Sequence, residues 1–320
     1  MKNELVAEGT PSALSRIGMA RLPRIIADAR EGASRRFVAT IRNKNTRLAY
    51  ARAIRDFLDW CEARGFTLGQ IEPVVVAAYI EQHRGSRPTV KQHLAAVRML
   101  FDWLVTGQIV PVNPAWSVRG PRHVVKRGKT PALSAAEART LLDSIDVSAT
   151  SGLRDRVLIG LMVYSFARVS AAVGMNVEDY FQQGKRWWFR LQEKGGKRHD
   201  VPAHHNGEAY LDAYLDAAGL AWEKHAPLFR TVDRHGRLTA TRMTRNDALR
   251  MIKRRARAAG LPRAISCHTF RATGITAYLE NGGTIDNAQA IAAHESPRTT
   301  KLYDRTGDEI TLDEVERIQI

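Results

Sequence analysis

A basic, aperiodic stretch divides this chain into a region of purely helical apolar spacing and a region where helical and strand spacing alternate. Tyr50, Ile54, Phe57, Leu58 and Cys61 recur at helical spacing up to Gly65. Pro73 opens a second run through Val76, Tyr79 and Ile80, closed by Gly85. Thr89 is placed to cap a third, with Val90, Leu94, Val97, Phe101 and Leu104 on one face and Gly107 at its end. Recurrence at i, i+3 and i+4 makes a one-sided stripe that other helices must cover. Residues 37–118 are therefore expected to form a small helical domain. Residues 119–131 hold Gly120, Pro121, Arg122, Lys126, Arg127 and Gly128 without periodicity and read as a linker. Residues 1–36, with an apolar run broken near Pro23, read as an arm or a docking segment.

Residues 132–303 mix two periods. Ser134-Ala135-Ala136-Glu137 is a capping-box pattern that starts a helix. A second helix, about Leu153 to Phe166, is apolar around most of its circumference, which predicts burial. After Tyr180 the period shortens. Trp187–Leu191 and Arg198–Val201 flank Lys194-Gly195-Gly196-Lys197 and read as a β-hairpin. Helical patterns return at about 207–218, 244–259, 269–280 and 285–293. The expected fold is mainly α with a small antiparallel β-sheet, in two domains. Residues 304–320 form an acidic tail with interleaved Ile310, Leu312, Val315 and Ile318, suited to docking on another subunit.

Charge narrows the partner. The 320 residues carry a formal +16, and an excess of Lys and Arg favours a polyanion, nucleic acid above all. Helix faces opposite the apolar stripes hold Arg47, Arg52, Lys91 and Arg98. The stretch 244–259 carries Arg245, Lys253 and Arg254. With Arg122, Lys126 and Arg127 of the linker these are the residues expected on double-stranded DNA. The two cysteines, Cys61 and Cys267, lie far apart and form neither a metal-spaced pair nor a disulfide framework, which fits a reducing cytoplasm. No apolar run reaches membrane-spanning length, so no membrane partner is expected. Arg16, Arg21 and Arg24 interrupt any secretory core.

Chemistry concentrates toward the C-terminus. Arg168, Lys194, His268, Arg271, His294 and Tyr303 follow one another in that order. Breaking a phosphodiester without a metal needs positive charge around the pentavalent phosphate, an in-line nucleophile and an acid for the leaving oxygen. Two guanidiniums can each hold two phosphate oxygens. Arg168 follows an apolar helix, so its partly buried head needs an anion: a phosphate or a salt bridge. His268 suits a base or proton shuttle, or a hydrogen bond to the phosphate. Tyr278 and Tyr210, the other tyrosines considered, sit in apolar helical patterns and read as core. No acidic triad suggests a metal-dependent nuclease, and no cofactor or metal is expected.

The series Arg…Lys…His-x-x-Arg…His…Tyr resembles that of the tyrosine recombinases, the phage-integrase and Xer-type enzymes. Asn45–Tyr50 and Asn113-Pro114-Ala115 are similar to the helical core-binding domain of that family. The resemblance implies that Tyr303 attacks a DNA phosphate to form a 3′-phosphotyrosyl link. It implies that Lys194 protonates the departing 5′ oxygen, with Lys197 as the rival, and that His294 donates to a phosphate oxygen. It further implies a homotetramer on two DNA sites, monomeric or dimeric before synapsis, serving integration, excision or transposition of a mobile element. A type IB topoisomerase-like nicking enzyme and a catalytically silent DNA-binding protein share the fold and stand as alternatives. Three positions depart from the family pattern. The acid usual three residues after the first arginine is Ala171. The usual Gly-Leu before that arginine is Phe166-Ala167, and the Leu-Gly before the last histidine is Ala292-Ala293.

Overall fold

In the computed structural model, residues 40–123, 128, 130–262, 264–304 and 316 are described, with the side chain of Lys194 excepted. The proposed arm, Lys126, Arg127 and nearly all of the acidic tail lie outside these residues. The chain divides into two compact units, residues 1–124 and 125–320.

The described part of the first unit is helical. Helix α1 spans Lys44–Glu62, α2 Pro73–Gln82 and α3 Arg87–Thr106. The Asn43 side chain accepts the N–H groups of Asn45 and Thr46 at 3.0 and 3.1 Å, satisfying donors that α1 leaves unpaired. Pro73 takes the first turn of α2, where its missing N–H is harmless. The expected cap of α3 is displaced. Ser86 is the N-cap and Thr89 lies within the helix, its hydroxyl bonded to that of Ser86 at 2.9 Å. Pro88 explains this, since its fixed φ belongs in a first helical turn. Phe57, Leu58, Val97, Phe101 and Leu104 are fully buried between the helices.

In the second unit, α4 (Ala135–Asp143) begins with the expected capping box: Ser134 accepts from the Glu137 N–H and Glu137 from the Ser134 N–H. Helix α5 (Thr150–Tyr164) runs through the core, followed by the short α6 (Val169–Gly174). Strands β1 (Tyr180–Gln183), β2 (Arg186–Gln192) and β3 (Arg198–Pro202) form an antiparallel sheet in the order β1-β2-β3. Then come α7 (His205–Ala218) and a second hairpin, β4 (Arg230–Val232) and β5 (Leu238–Arg242). Helices α8 (Arg245–Ala258), α9 (Cys267–Glu280), α10 (Ile285–Ile291) and α11 (Pro297–Lys301) complete it. Periodicity did not forecast β1, the β4–β5 hairpin or α6, because each is too short to show a repeat.

Two contacts in this unit position the site. Gly274 on α9 faces α5: a Cβ there would fall 2.0 Å from the Val163 carbonyl and 2.8 Å from the Phe166 ring, so only glycine permits this approach. Asp155 on α5, wholly buried, pairs with Arg154, Arg254 and Arg255 at 2.5, 3.3 and 2.9 Å, fastening α8 to α5. Among the described residues no helix is long and apolar enough to cross a membrane.

Candidate active site

Arg271 is the buried hub of the constellation. It projects from α9 with 1% exposure, and its guanidinium donates to the carbonyls of Phe166 and, at 2.6 Å, Ala292. Both carbonyls sit in left-handed turns, with Phe166 at φ 53° and Ala293 at φ 47°. Glycine adopts this region freely, whereas residues with a Cβ are strained there. These are the positions of the two glycines missing from the family pattern. Both turns are left-handed here without glycine, and Arg271 ties the carbonyls of both to α9. Burial and the charge of Arg168 lower the Arg271 pKa to about 10, leaving it charged at neutral pH, while Glu193 and Tyr303 oppose the shift.

Arg168 is the N-cap residue of α6, immediately after the Phe166 turn. Its guanidinium forms an ion pair with Glu193, which follows β2 and is 3% exposed against 27% for the arginine. The anion is therefore a carboxylate of the chain itself, contributed from outside α6.

His268 and Arg271 lie one helical turn apart on α9, so their side chains leave from neighbouring positions. His268 reaches the surface. Partial desolvation, then the charges of Arg271 and Arg168, hold its pKa below the usual histidine value. His294 is buried, and its Nδ1 lies 2.8 Å from the Thr300 hydroxyl. Desolvation, then the same two arginines, push it down to about 4, so it is neutral at pH 7.

Tyr303 follows α11, its ring parallel to His294 at 5.9 Å between centroids and 10° between planes. Its carbonyl accepts from the Thr276 hydroxyl at 3.0 Å, and the preceding Leu302 carbonyl accepts from the Gly128 N–H at 2.9 Å. Thr276 belongs to α9, which thereby holds the tyrosine segment as well as His268 and Arg271.

The backbone of Lys194 is in the turn between β2 and β3, where Gly195 and Gly196 have φ of 83° and 80°. Lys197 is exposed on the same turn. His199 on β3 lies with Nε2 3.0 Å from the Ile291 carbonyl and ties the hairpin to the end of α10.

Five of the six sequence-selected residues are thus gathered by α9 and the turns around it, and the sixth is at an adjoining turn. Glu193, Thr276 and Thr300 were missed, because a partner across the fold leaves no local pattern. The residues expected on DNA differ in availability. Arg52, Lys91, Arg122, Arg245 and Lys253 are exposed. Arg47 spends its Nε on the Ile41 carbonyl at 2.9 Å. Arg254 is 61% exposed although it pairs with Asp155. Arg98 is partly engaged within the chain: its guanidinium donates to the carbonyls of Ala115 and Val118, fastening the loop after α3. Unpaired buried carbonyls would be costly, and Arg98 satisfies two of them.

Residues 131–309 match the Phage integrase family, and residues 36–108 match its N-terminal SAM-like domain. The chain belongs to the phage integrase family. Among curated members of the family, it is 30% identical to the tyrosine recombinase XerC of Chlamydia pneumoniae, over 71% of this chain and 70% of that one. It is 30% identical to the tyrosine recombinase XerD of Ralstonia nicotianae, over 81% and 83%. Solved tyrosine recombinases share its fold. XerH bound to a palindromic difH substrate, in a post-cleavage complex, superposes with a TM-score of 0.67 at 21% identity, covering 81% of this chain and 77% of that one.

Proposed function

We propose that this chain is a site-specific recombinase of double-stranded DNA that works through a 3′-phosphotyrosyl link at Tyr303. The observation that carries the reading is Tyr303 seated against His294, on a segment pinned to the helix that bears His268 and Arg271. The phenol oxygen bonds to phosphorus, the bond from phosphorus to the 5′ oxygen breaks, and His268 accepts the phenolic proton. Lys194 supplies a proton to the departing oxygen. A 5′-hydroxyl from a partner duplex then attacks the phosphotyrosine and restores both phenol and phosphodiester. The link conserves the bond energy, so no nucleotide hydrolysis is required.

Arg168 and Arg271 take the non-bridging oxygens. Arg271 has five N–H groups, and its two carbonyl bonds leave others for phosphate. His294 acts as a neutral donor: with Nδ1 accepting the Thr300 hydroxyl proton, its own proton sits on Nε2. Residues 37–118 and the linker 119–131 bind the duplex while 132–303 perform the chemistry. Assembly is a homotetramer on two sites, in line with the lambda integrase tetramer solved on a Holliday junction, and the acidic tail docks on a neighbour. The role assigned is integration, excision or transposition of a mobile element.

The test uses a nicked suicide duplex from the genomic neighbourhood, from which the cut fragment diffuses away. Accumulation of a covalent adduct on the peptide containing Tyr303 is expected. An adduct on Tyr278 or Tyr210, or relaxation of supercoiled DNA without any junction product, would overturn it, the latter in favour of a topoisomerase.

A further inference from the structure

Glu193 is the one buried carboxylate beside the constellation among the described residues, and nothing in the chemistry above employs it. A buried carboxylate is costly unless a cation answers it, and the Arg168 guanidinium does so. One terminal nitrogen of Arg168 is engaged, and the rest of its fork is unengaged among the described residues. Ala171, three residues after Arg168, is buried in α6 and brings no charge. The carboxylate therefore comes from the end of β2. There the Glu193 N–H donates to the Lys197 carbonyl at 2.7 Å and its carbonyl accepts from Gly196 at 3.1 Å, closing the turn that bears Lys194. Arg168 and Arg271 repel one another, and Glu193 is the nearby anion that offsets this.

We propose that Glu193 is a positioning residue: its carboxylate orients the Arg168 guanidinium for the scissile phosphate and keeps the two arginines together while no DNA is bound. The inference rests on the recombinase reading of Arg168. It also gives the β2–β3 turn and Arg168 a common anchor.

The test is Glu193→Gln, which keeps shape and removes charge, on two suicide duplexes. One has the natural 5′ oxygen at the scissile phosphate and the other a bridging sulfur. A thiolate leaves without a proton donor, because thiols are far more acidic than alcohols. Single-turnover adduct formation should slow by about 10- to 100-fold on both duplexes, with DNA affinity little changed, as for a misaligned electrostatic group. A wild-type rate on the oxygen duplex would overturn the proposal. So would a defect that sulfur erases, which would tie Glu193 to Lys194, or a rate loss matched by lost affinity. If Glu193→Gln cannot be purified folded, Glu193→Asp retracts the charge by one methylene and carries the same comparison with the same outcomes. No adduct from the unaltered protein on either duplex would overturn the recombinase reading and this inference with it, so the two failures are distinguishable.

Discussion

The imidazole of His294 lies parallel to the phenol of Tyr303, and its Nδ1 is held 2.8 Å from the Thr300 hydroxyl. Both contacts are made by a ring that burial first, then the charges of Arg271 and Arg168, keep neutral. Stability should therefore depend on pH in a defined direction. In the folded protein His294 titrates near 4, and in the unfolded chain near the ordinary value of about 6.5. Between these values the unfolded chain binds more protons. Its contribution is present above about 6.5 and is lost as pH falls toward 4. His268 and His93, both lowered as well, act in the same sense. Denaturant titrations at pH 7 and pH 5 should show lower stability at pH 5, with a smaller difference in His294→Gln. An unchanged difference in that variant would remove His294 from the account.

The left-handed turns give a prediction of opposite sign for two similar substitutions. Ala293→Gly relieves the strain at φ 47° and loses one methyl, so stability should rise by about 1 kcal/mol. Phe166→Gly relieves the same strain at φ 53° but removes a buried ring that packs edge-on against Tyr278 at 6.0 Å. There the lost packing wins, and a net loss of about 2–3 kcal/mol is expected. Thermal denaturation of the two variants checks both signs. Destabilisation by Ala293→Gly would mean that the turn is not strained.

How far the sequence disclosed this arrangement depended on range. Helices were legible where a stripe repeats over several turns, as from Tyr50 to Cys61, and where a cap is local, as at Ser134 and Glu137. The cap of the third helix was misplaced because Thr89 and Ser86 are both good cap residues, and Pro88 decides between them. The order of cationic residues was legible because the chemistry fixes residue types. The Arg168–Glu193 pair was not, since it joins residues that only the fold brings together. A signal for the two turns was present, though: Phe166 and Ala293 each stand where the family has glycine. Arg98 shows what a helix face does not disclose: part of its guanidinium serves the chain's own carbonyls.

Binding and chemistry should separate at Arg168. With +16 overall, DNA affinity should fall steeply with salt, by about a thousandfold from 50 to 200 mM if several phosphates are neutralised. Arg168→Ala removes one of these charges and should lower affinity modestly. Adduct formation should fall by about 100-fold or more, because the lost charge is the one proposed to stabilise the transition state. Excess EDTA should leave the unaltered rate intact, since side chains supply the positive charge. Equal losses of binding and cleavage would reduce Arg168 to a docking contact, and magnesium-dependent cleavage would remove the cationic mechanism.

Tyr303 should act within its own subunit. Three bonds fasten its backbone: its N–H to the Thr300 carbonyl at 2.9 Å, its carbonyl to the Thr276 hydroxyl at 3.0 Å, and the Leu302 carbonyl to the Gly128 N–H at 2.9 Å. Gly128 has no room for a side chain, as a Cβ would fall 2.5 Å from that carbonyl. Delivering the tyrosine to a neighbour would break these bonds and unstack it from His294. Mixing two inactive variants distinguishes the cases. Tyr303→Phe lacks only the oxygen proposed as nucleophile, and Arg168→Ala lacks only the cation proposed to face the phosphate. If each subunit uses its own tyrosine, every active site in the mixture lacks one group. Adduct should then stay at the background of either variant alone. If the tyrosine crosses over, the nucleophile of Arg168→Ala would reach the intact pocket of Tyr303→Phe. Adduct recovered on the Arg168→Ala chain would show this and would overturn the assignment.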